Sequence, residues 1–214
     1  MALERLAMNS RAVWLEAREA QGLGGSEAAA IVGLSPWMSA TELWQIKTGI
    51  KSRKNFSNEA IEKGIAFEPV LRELFKAKHP EYDIEYHQFD LLYQSERPWL
   101  FATLDGEIRD NERQRQGILE IKTASPQNKA AWAKWDNATP LSYRAQITHQ
   151  LLATGYDFAT LFAYLFNFEG DMTIREYNFE RERMVDDMDW LLEKETAFWH
   201  KVQTRQQPDT VLVL

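Results

Sequence analysis

The 214-residue chain predicts an α/β fold, a mixed central β-sheet flanked by helices. Three observations carry that expectation. Apolar residues recur at helical spacing up to about residue 80 and then at strand spacing. A further helical run near residues 140–155 lies between strand-like runs, which suits a helix crossing between strands of one sheet. No repeat, low-complexity segment or linker divides the chain, and this length suits one well-buried domain.

"NSRAVWLEAREAQGLGGSEAAAIVG" reads as a short helix, a Gly-rich turn and a second helix with Ser26 as its N-cap. "SPWMSATELWQIKTG" predicts a turn, then a helix from about Ser39 to near Gly49. "NEAIEKGIAFEPVLRELFKAKHP" has helical spacing through Ile61, Ile65, Phe67, Val70, Leu71, Leu74 and Phe75, closed by Pro80. "IEYHQFDLLY", "LFATLDGEI" and "GILEIKT" read as three strands, with "RDNERQRQG" as a polar hairpin tip between the last two. "PLSYRAQITHQLLATG" is a helix from near Pro140 to Gly155, "FATLFAYLF" and "MTIREYNF" are two more strands, and a long acidic-faced helix closes the chain. One domain over 1–214 follows: a helical part over 1–80, a sheet core over 81–180 and a closing helix over 181–205.

The composition narrows the chemistry. Without cysteine there is neither a disulfide framework nor a thiolate metal site. No apolar run approaches the ~18 residues of a membrane span, and no apolar leader opens the chain, so a soluble intracellular protein is expected. The net charge of −7 speaks against a nucleic-acid partner only weakly, because charge is uneven. Between Leu43 and Asn58 stand Lys47, Lys51, Arg53 and Lys54 with no acid, whereas Glu180–Glu195 carries seven acids against three bases. A basic surface can attract phosphate while the remainder stays acidic.

Three carboxylates sit where carboxylates are awkward. Glu120 lies inside the aliphatic strand "GILEIKT", Asp105 follows the apolar "FATL", and Glu68 lies in a helix beside Phe67. Burying an unpaired carboxylate costs on the order of several kcal/mol, so such groups need a cation or a hydrogen-bond network. Asp105 and Glu120 on adjacent strands would suit a hard divalent cation such as Mg²⁺. Lys122 shares a strand face with Glu120 and would stand beside a metal-bound water. An isolated E-x-K is more often a solvated same-face pair; Asp105 one hairpin earlier and Glu68 on a preceding helix argue for a site.

These pieces, in order, resemble the PD-(D/E)xK nucleases, and more narrowly the lambda-exonuclease/YqaJ-type viral recombinase family. The matching segments run from "WLEAREAQGLGGSEAAAIVGLSPW" through "EKGIAFEP", "ATLDGEI" and "LEIKT" to "YRAQITHQLLATG". The resemblance implies a restriction-endonuclease-like core and a Mg²⁺-dependent exonuclease (two ions, with Mn²⁺ as a substitute). Such an enzyme digests one strand of duplex DNA from its 5′ end, giving 5′-mononucleotides and 3′ overhangs. It implies Asp105, Glu120 and the backbone carbonyl of Ile121 as metal ligands, Glu68 near a second metal, and Lys122 as the catalytic lysine. Arg18 and Ser26 map onto the residues that bind the terminal 5′-phosphate, Gln146 onto the Gln of the helix after the core, and Thr103 onto a hydroxyl preceding the metal Asp. A ring-shaped homotrimer threaded by DNA ends, a single-strand annealing partner and a bacterial host cytoplasm are also implied.

Two departures stand out. The Arg18–Ser26 spacing is about one residue longer than the lambda-type pattern, and "LD" (Leu104-Asp105) replaces "PD". Ser26 is also a good helix cap, and Gln146 could be a surface residue. Trp37, on the "LSPW" loop, is the aromatic best placed to stack on bases at a duplex end, while Trp14, Trp44, Trp190 and Trp199 suit packing. The four His lack metal-ligand spacing. The alternatives are an endonuclease of the same superfamily and a catalytically silent DNA-binding module on that fold.

Overall fold

The computed structural model describes residues 2–53, 59–136, 138–167 and 171–209, with backbone alone for 59–61. Lys54 of the basic stretch lies outside the described residues. Strands β1 (Leu3–Ala7), β2 (Leu23–Gly24), β3 (Tyr82–Glu85), β4 (Asp90–Gln94), β5 (Leu100–Ala102), β6 (Gly106–Asp110), β7 (Arg115–Ala124), β8 (Phe158–Phe166) and β9 (Met172–Glu180) form two sheets. The smaller has the order β1-β4-β5-β2 and the larger β3-β6-β7-β8-β9. The helices are α1 (Arg11–Gln21), α2 (Gly25–Ile31), α3 (Ala40–Lys47), α4 (Glu59–Lys78), α5 (Lys129–Ala133), α6 (Leu141–Thr154) and α7 (Val185–Gln203).

The large sheet is mixed. β7 pairs antiparallel with β6 and parallel with β8, and β8 pairs antiparallel with β9. α6 makes the crossover between the parallel pair. Its C-cap Gly155 has φ 75°, the left-handed conformation that favours glycine. One face of the sheet, with Leu119, Ile121, Phe158 and Phe162, packs on Leu71 and Phe75 of α4. The other, with Ile118, Leu161 and Ala163, packs on Ile147 and Leu151 of α6. A separate cluster joins Leu23, Ile31, Leu43 and Trp44 to Phe198 and Val202 of α7.

Two strand expectations need correction. "IEYHQFDLLY" is not one strand: β3 joins the large sheet and β4 the small one, and the chain turns between them through Phe89 at φ 65°. "LFATLDGEI" likewise divides into β5 and β6, in different sheets. Apolar alternation reports burial on one face but not which sheet supplies the partner. β1 is an addition, exposed at every position, so it carries no alternating signal. Arg5 on β1 ties the two sheets, reaching Asp90 and Glu107 at 2.7 Å each.

Candidate functional site

The site begins with a mismatch in strand length. β6 pairs with β7 only up to Gly106↔Leu119, yet β7 continues to Ala124. The edge of β7 from Glu120 onward therefore has no β6 partner. The residue just before β6 takes that place: Oδ2 of Asp105 accepts a hydrogen bond from the Ile121 amide at 2.7 Å. A strand residue's N–H and C=O leave the same edge, which puts the Ile121 carbonyl on the side of Asp105.

Glu120 and Lys122 point toward α6, as period-two alternation requires. Glu120 is only 2% exposed. Its Oε1 accepts from Lys122 Nζ and from Gln146 Nε2, both at 2.5 Å, and its Oε2 from Gln150 Nε2 at 2.6 Å. Lys122 Nζ also lies 5.5 Å from the ring centre of Tyr143. Burial opposes the ammonium's charge, but Glu120 and Asp105 outweigh it and push the Lys122 pKa above its usual range. Lys122 is thus held against Glu120.

Glu68 reaches the same region from α4, on the opposite face of the sheet. Its Oε1 accepts from Arg72 Nη2 at 2.7 Å, while Arg72 Nε donates to the Asp105 carbonyl at 2.6 Å. Burial, then the nearby Glu120 and Glu68, raise the Asp105 pKa well above the usual carboxylate range. Burial raises that of Glu68 as well, with Glu120 adding and Arg72 opposing. The three carboxylates share one electrostatic field. Among the described residues, however, no three acidic or histidine side chains already stand close enough to enclose an ion. Asp105, Glu120, Lys122 and Gln146 meet at the β7 edge; Glu68 stands behind Arg72.

The second group of candidates lies at the junction of α1 and α2. Arg18 Nη2 is 3.4 Å from Ser26 Oγ, so these residues do meet, and the Arg18 guanidinium lies 4.4 Å from the Trp14 ring centre. Burial lowers the Arg18 pKa, and Arg53 adds to that effect. Ser26 is not the helix cap: Gly24 is, and its amide donates to Glu27 Oε2 at 3.0 Å. That correction leaves the exposed Ser26 without a capping role. Thr103 is half-buried, and its carbonyl lies 3.4 Å from Gln150 Nε2. Trp37 is 76% exposed, on a turn where Ser35 Oγ accepts from the amides of Trp37 and Met38.

Among the described residues, the basic stretch is not an open cationic surface: Lys47, Lys51 and Arg53 are each paired with an acid. Lys47, its side chain 1% exposed, donates to Gly22 O at 2.6 Å and Arg18 O at 3.3 Å and pairs with Glu27 at 3.0 Å. It thereby fixes the turn between Arg18 and Ser26. Arg53 bridges Glu19 and Glu27 beside it. A local signal was "GSE", a Glu three residues after Gly24, which is half of a reciprocal cap. Arg72 stands one turn after Glu68, and Gln150 shares the Gln146 face of α6 one turn later, although the sequence assigns it no role. The contacts of Lys47 with Glu27, Arg72 with the Asp105 carbonyl and Gln150 with Glu120 run across the fold and leave no local signal.

Comparison with known proteins decides the family. The model of the YqaJ-like viral recombinase domain matches residues 13–157. The chain belongs to the YqaJ-like viral recombinase family. The uncharacterized protein YqaJ of Bacillus subtilis (strain 168) is 30% identical over 223 residues, covering 96% of this chain and 61% of that relative. The chain therefore spans about three-fifths of the length of the curated relative it matches. Among solved structures, an alkaline exonuclease from Laribacter hongkongensis aligns with TM-score 0.70 at 16% identity, over 91% of this chain and 94% of that one. Its complex with dAMP aligns at TM-score 0.65 and 14% identity, over 91% and 94%. A phage-related exonuclease from Haemophilus somnus 129PT aligns at TM-score 0.54 and 12% identity, over 86% and 96%. At these identities the likeness is one of fold alone: this YqaJ-like chain shares the mixed α/β fold of those exonuclease structures.

Proposed function

We propose that this chain is a Mg²⁺-dependent exonuclease that digests duplex DNA 5′→3′ from its ends in phage-type recombination, giving 5′-mononucleotides and 3′ overhangs. The observation that carries the reading is the meeting of Asp105, Glu120 and Lys122 at the β7 edge that β6 leaves unpaired. The fold shared with two named exonucleases, one of them also in complex with dAMP, supports it.

The residues fit a hard cation. The donors are carboxylate and carbonyl oxygens, and the raised Asp105 pKa marks negative charge that a divalent ion would relieve. Asp105, Glu120 and the Ile121 carbonyl would hold one Mg²⁺, with Glu68 contributing to a second and Mn²⁺ able to substitute. Bound there, such an ion would supply an acidified water and neutralise charge on the phosphate. Lys122, held against Glu120, would orient the attacking water and stabilise the charge gathering on the scissile phosphate. Gln146 holds Glu120 so that Lys122 keeps its place. Arg18 offers a planar fork to the terminal 5′-phosphate and Ser26 a hydroxyl, with Thr103 beside the metal Asp and Trp37 stacking on the open duplex end.

A ring-shaped homotrimer and a single-strand annealing protein as partner complete the proposal, in the cytoplasm of a bacterial host. A ring would confine the necessary basic surface to its channel and so reconcile the net charge of −7 with DNA binding. Linear and covalently closed circular duplexes, each with and without Mg²⁺, test the reading. Degradation of the linear form alone, with Mg²⁺, is expected. Opening of the circle would favour an endonuclease, and no cleavage of either would leave a DNA-binding module.

A further inference from the structure

We infer that Gln150, beyond the Gln146 position, is a positioning residue that sets the separation of the two carboxylates proposed to hold metal. The inference rests on the metal reading above. Gln150 is 1% exposed, one helical turn after Gln146 on α6. Its single amide nitrogen faces two segments at once: Glu120 Oε2 at 2.6 Å on β7, and the Thr103 carbonyl at 3.4 Å. Thr103 lies two residues before Asp105 on the connection that leads into β6. One side chain therefore spans the two pieces of chain that carry Asp105 and Glu120. An NH₂ group has two hydrogens, enough to serve both acceptors.

The other end of the amide argues that this contact serves function more than stability. Among the described residues, Gln150 Oε1 is buried without a hydrogen-bond partner. Turning the amide over would aim that oxygen at a carboxylate and a carbonyl, so the orientation follows from its acceptors. A buried orphan acceptor is unfavourable. An apolar side chain of the same length would remove that penalty, although it would also remove the donors to Glu120. The stem has little room to move, because Gly25 of α2 packs against it: a Cβ there would lie 3.2 Å from Gln150 Cγ. Gln150 thus holds Glu120 Oε2 by one lone pair and leaves the other for an ion, while Lys122 and Gln146 occupy Oε1.

The test is calorimetric titration of Mn²⁺ and Mg²⁺ into wild type, Asp105→Asn and Gln150→Met, each checked by thermal melting. Wild type should bind, Asp105→Asn should lose binding, and Gln150→Met should melt near wild type yet bind roughly 10–100-fold more weakly. Unchanged affinity in a folded Gln150→Met overturns the inference while leaving the metal reading intact. Absence of binding by wild type overturns both. Should Gln150→Met fail to fold, Gln150→Leu, which is also apolar but shorter, carries the titration; loss of folding in both would make Gln150 a structural residue and overturn the inference as well.

Discussion

The Lys122 ammonium lies 2.5 Å from Oε1 of Glu120, two residues before it on the same face of one strand. Such a pair on a wet strand would be worth little. Here Glu120 is buried and receives two further amide donors, from Gln146 and Gln150. Those amides keep the carboxylate hydrogen-bonded if the lysine is removed.

Lys122→Ala should accordingly keep the fold and bind duplex DNA while losing cleavage by about 10²–10³-fold. Single-turnover rates alongside a DNA-binding isotherm check this. Normal cleavage by the variant would remove the mechanism.

Arg18 and Ser26 should make the enzyme sensitive to the chemistry of the DNA end. Wild type should degrade 5′-phosphorylated linear duplex on the order of tenfold faster than 5′-hydroxyl duplex, as expected for charge-assisted hydrogen bonds to a phosphate. Arg18→Ala should equalise the two rates, mainly by slowing the phosphorylated substrate, and Ser26→Ala should shift the ratio part of the way. Equal rates in wild type would remove the phosphate assignment.

Gly25, the first residue of α2, is where that helix meets Gln146 and Gln150 of α6. An added Cβ would lie 3.2 Å from Gln150 Cγ and 3.3 Å from Gln146 Cγ. Alanine gains about 1 kcal/mol of helix propensity, but overpacking costs about 1–3 kcal/mol. Gly25→Ala should therefore lose about 1 kcal/mol in a thermal melt and about tenfold in nuclease rate, as the two amides shift off Glu120. A full rate with an unchanged melt would mean that the amides tolerate the intrusion.

The buried pair of α6 and α7 predicts a pH dependence. His149 Nδ1 lies 2.7 Å from Glu195 Oε1 and its Nε2 2.8 Å from the Phe101 carbonyl, so both ring nitrogens face acceptors. Burial works against the imidazolium, but Glu195, the Phe101 carbonyl and the more distant Glu27 raise its pKa above the ordinary 6.5. A raised folded-state pKa gives stability that is complete below the unfolded value and is lost as pH climbs toward the folded one. Melting temperature should fall as pH rises above about 6.5. His149→Gln should flatten that slope and cost about 3–5 kcal/mol, since it breaks a buried pair. A variant that keeps the wild-type slope would assign it to other groups.

Legibility differed by element for physical reasons. β8 coincides with "FATLFAYLF" and α6 with "LSYRAQITHQLLAT", because a strand buried on both faces and a helix between Pro140 and a left-handed Gly155 carry their own boundaries. The segments around Phe89 and Thr103 read as continuous strands, because switching from one sheet to another leaves the apolar pattern intact. Ser26 looked like a cap because serine is a common one; Gly24 took the place once Glu27, buried against Lys47, could reach its amide. Asp105, Glu120 and Lys122 were legible since charge in an apolar strand demands a reason. The contacts of Arg72 with the Asp105 carbonyl, Lys47 with Glu27 and Gln150 with Glu120 were not, since those partners lie far along the chain.

The central claim is that the β7 edge, with Asp105 against Ile121, is a metal-dependent catalytic centre. Release of acid-soluble nucleotides from linear duplex, by wild type and by Asp105→Asn, measures it most directly. Asparagine keeps the shape and the oxygen that accepts from the Ile121 amide while removing the charge. The account predicts release by wild type only when Mg²⁺ is present, and none above background from Asp105→Asn. Release that survives chelation of Mg²⁺, or wild-type activity in the Asp105→Asn protein, would contradict it.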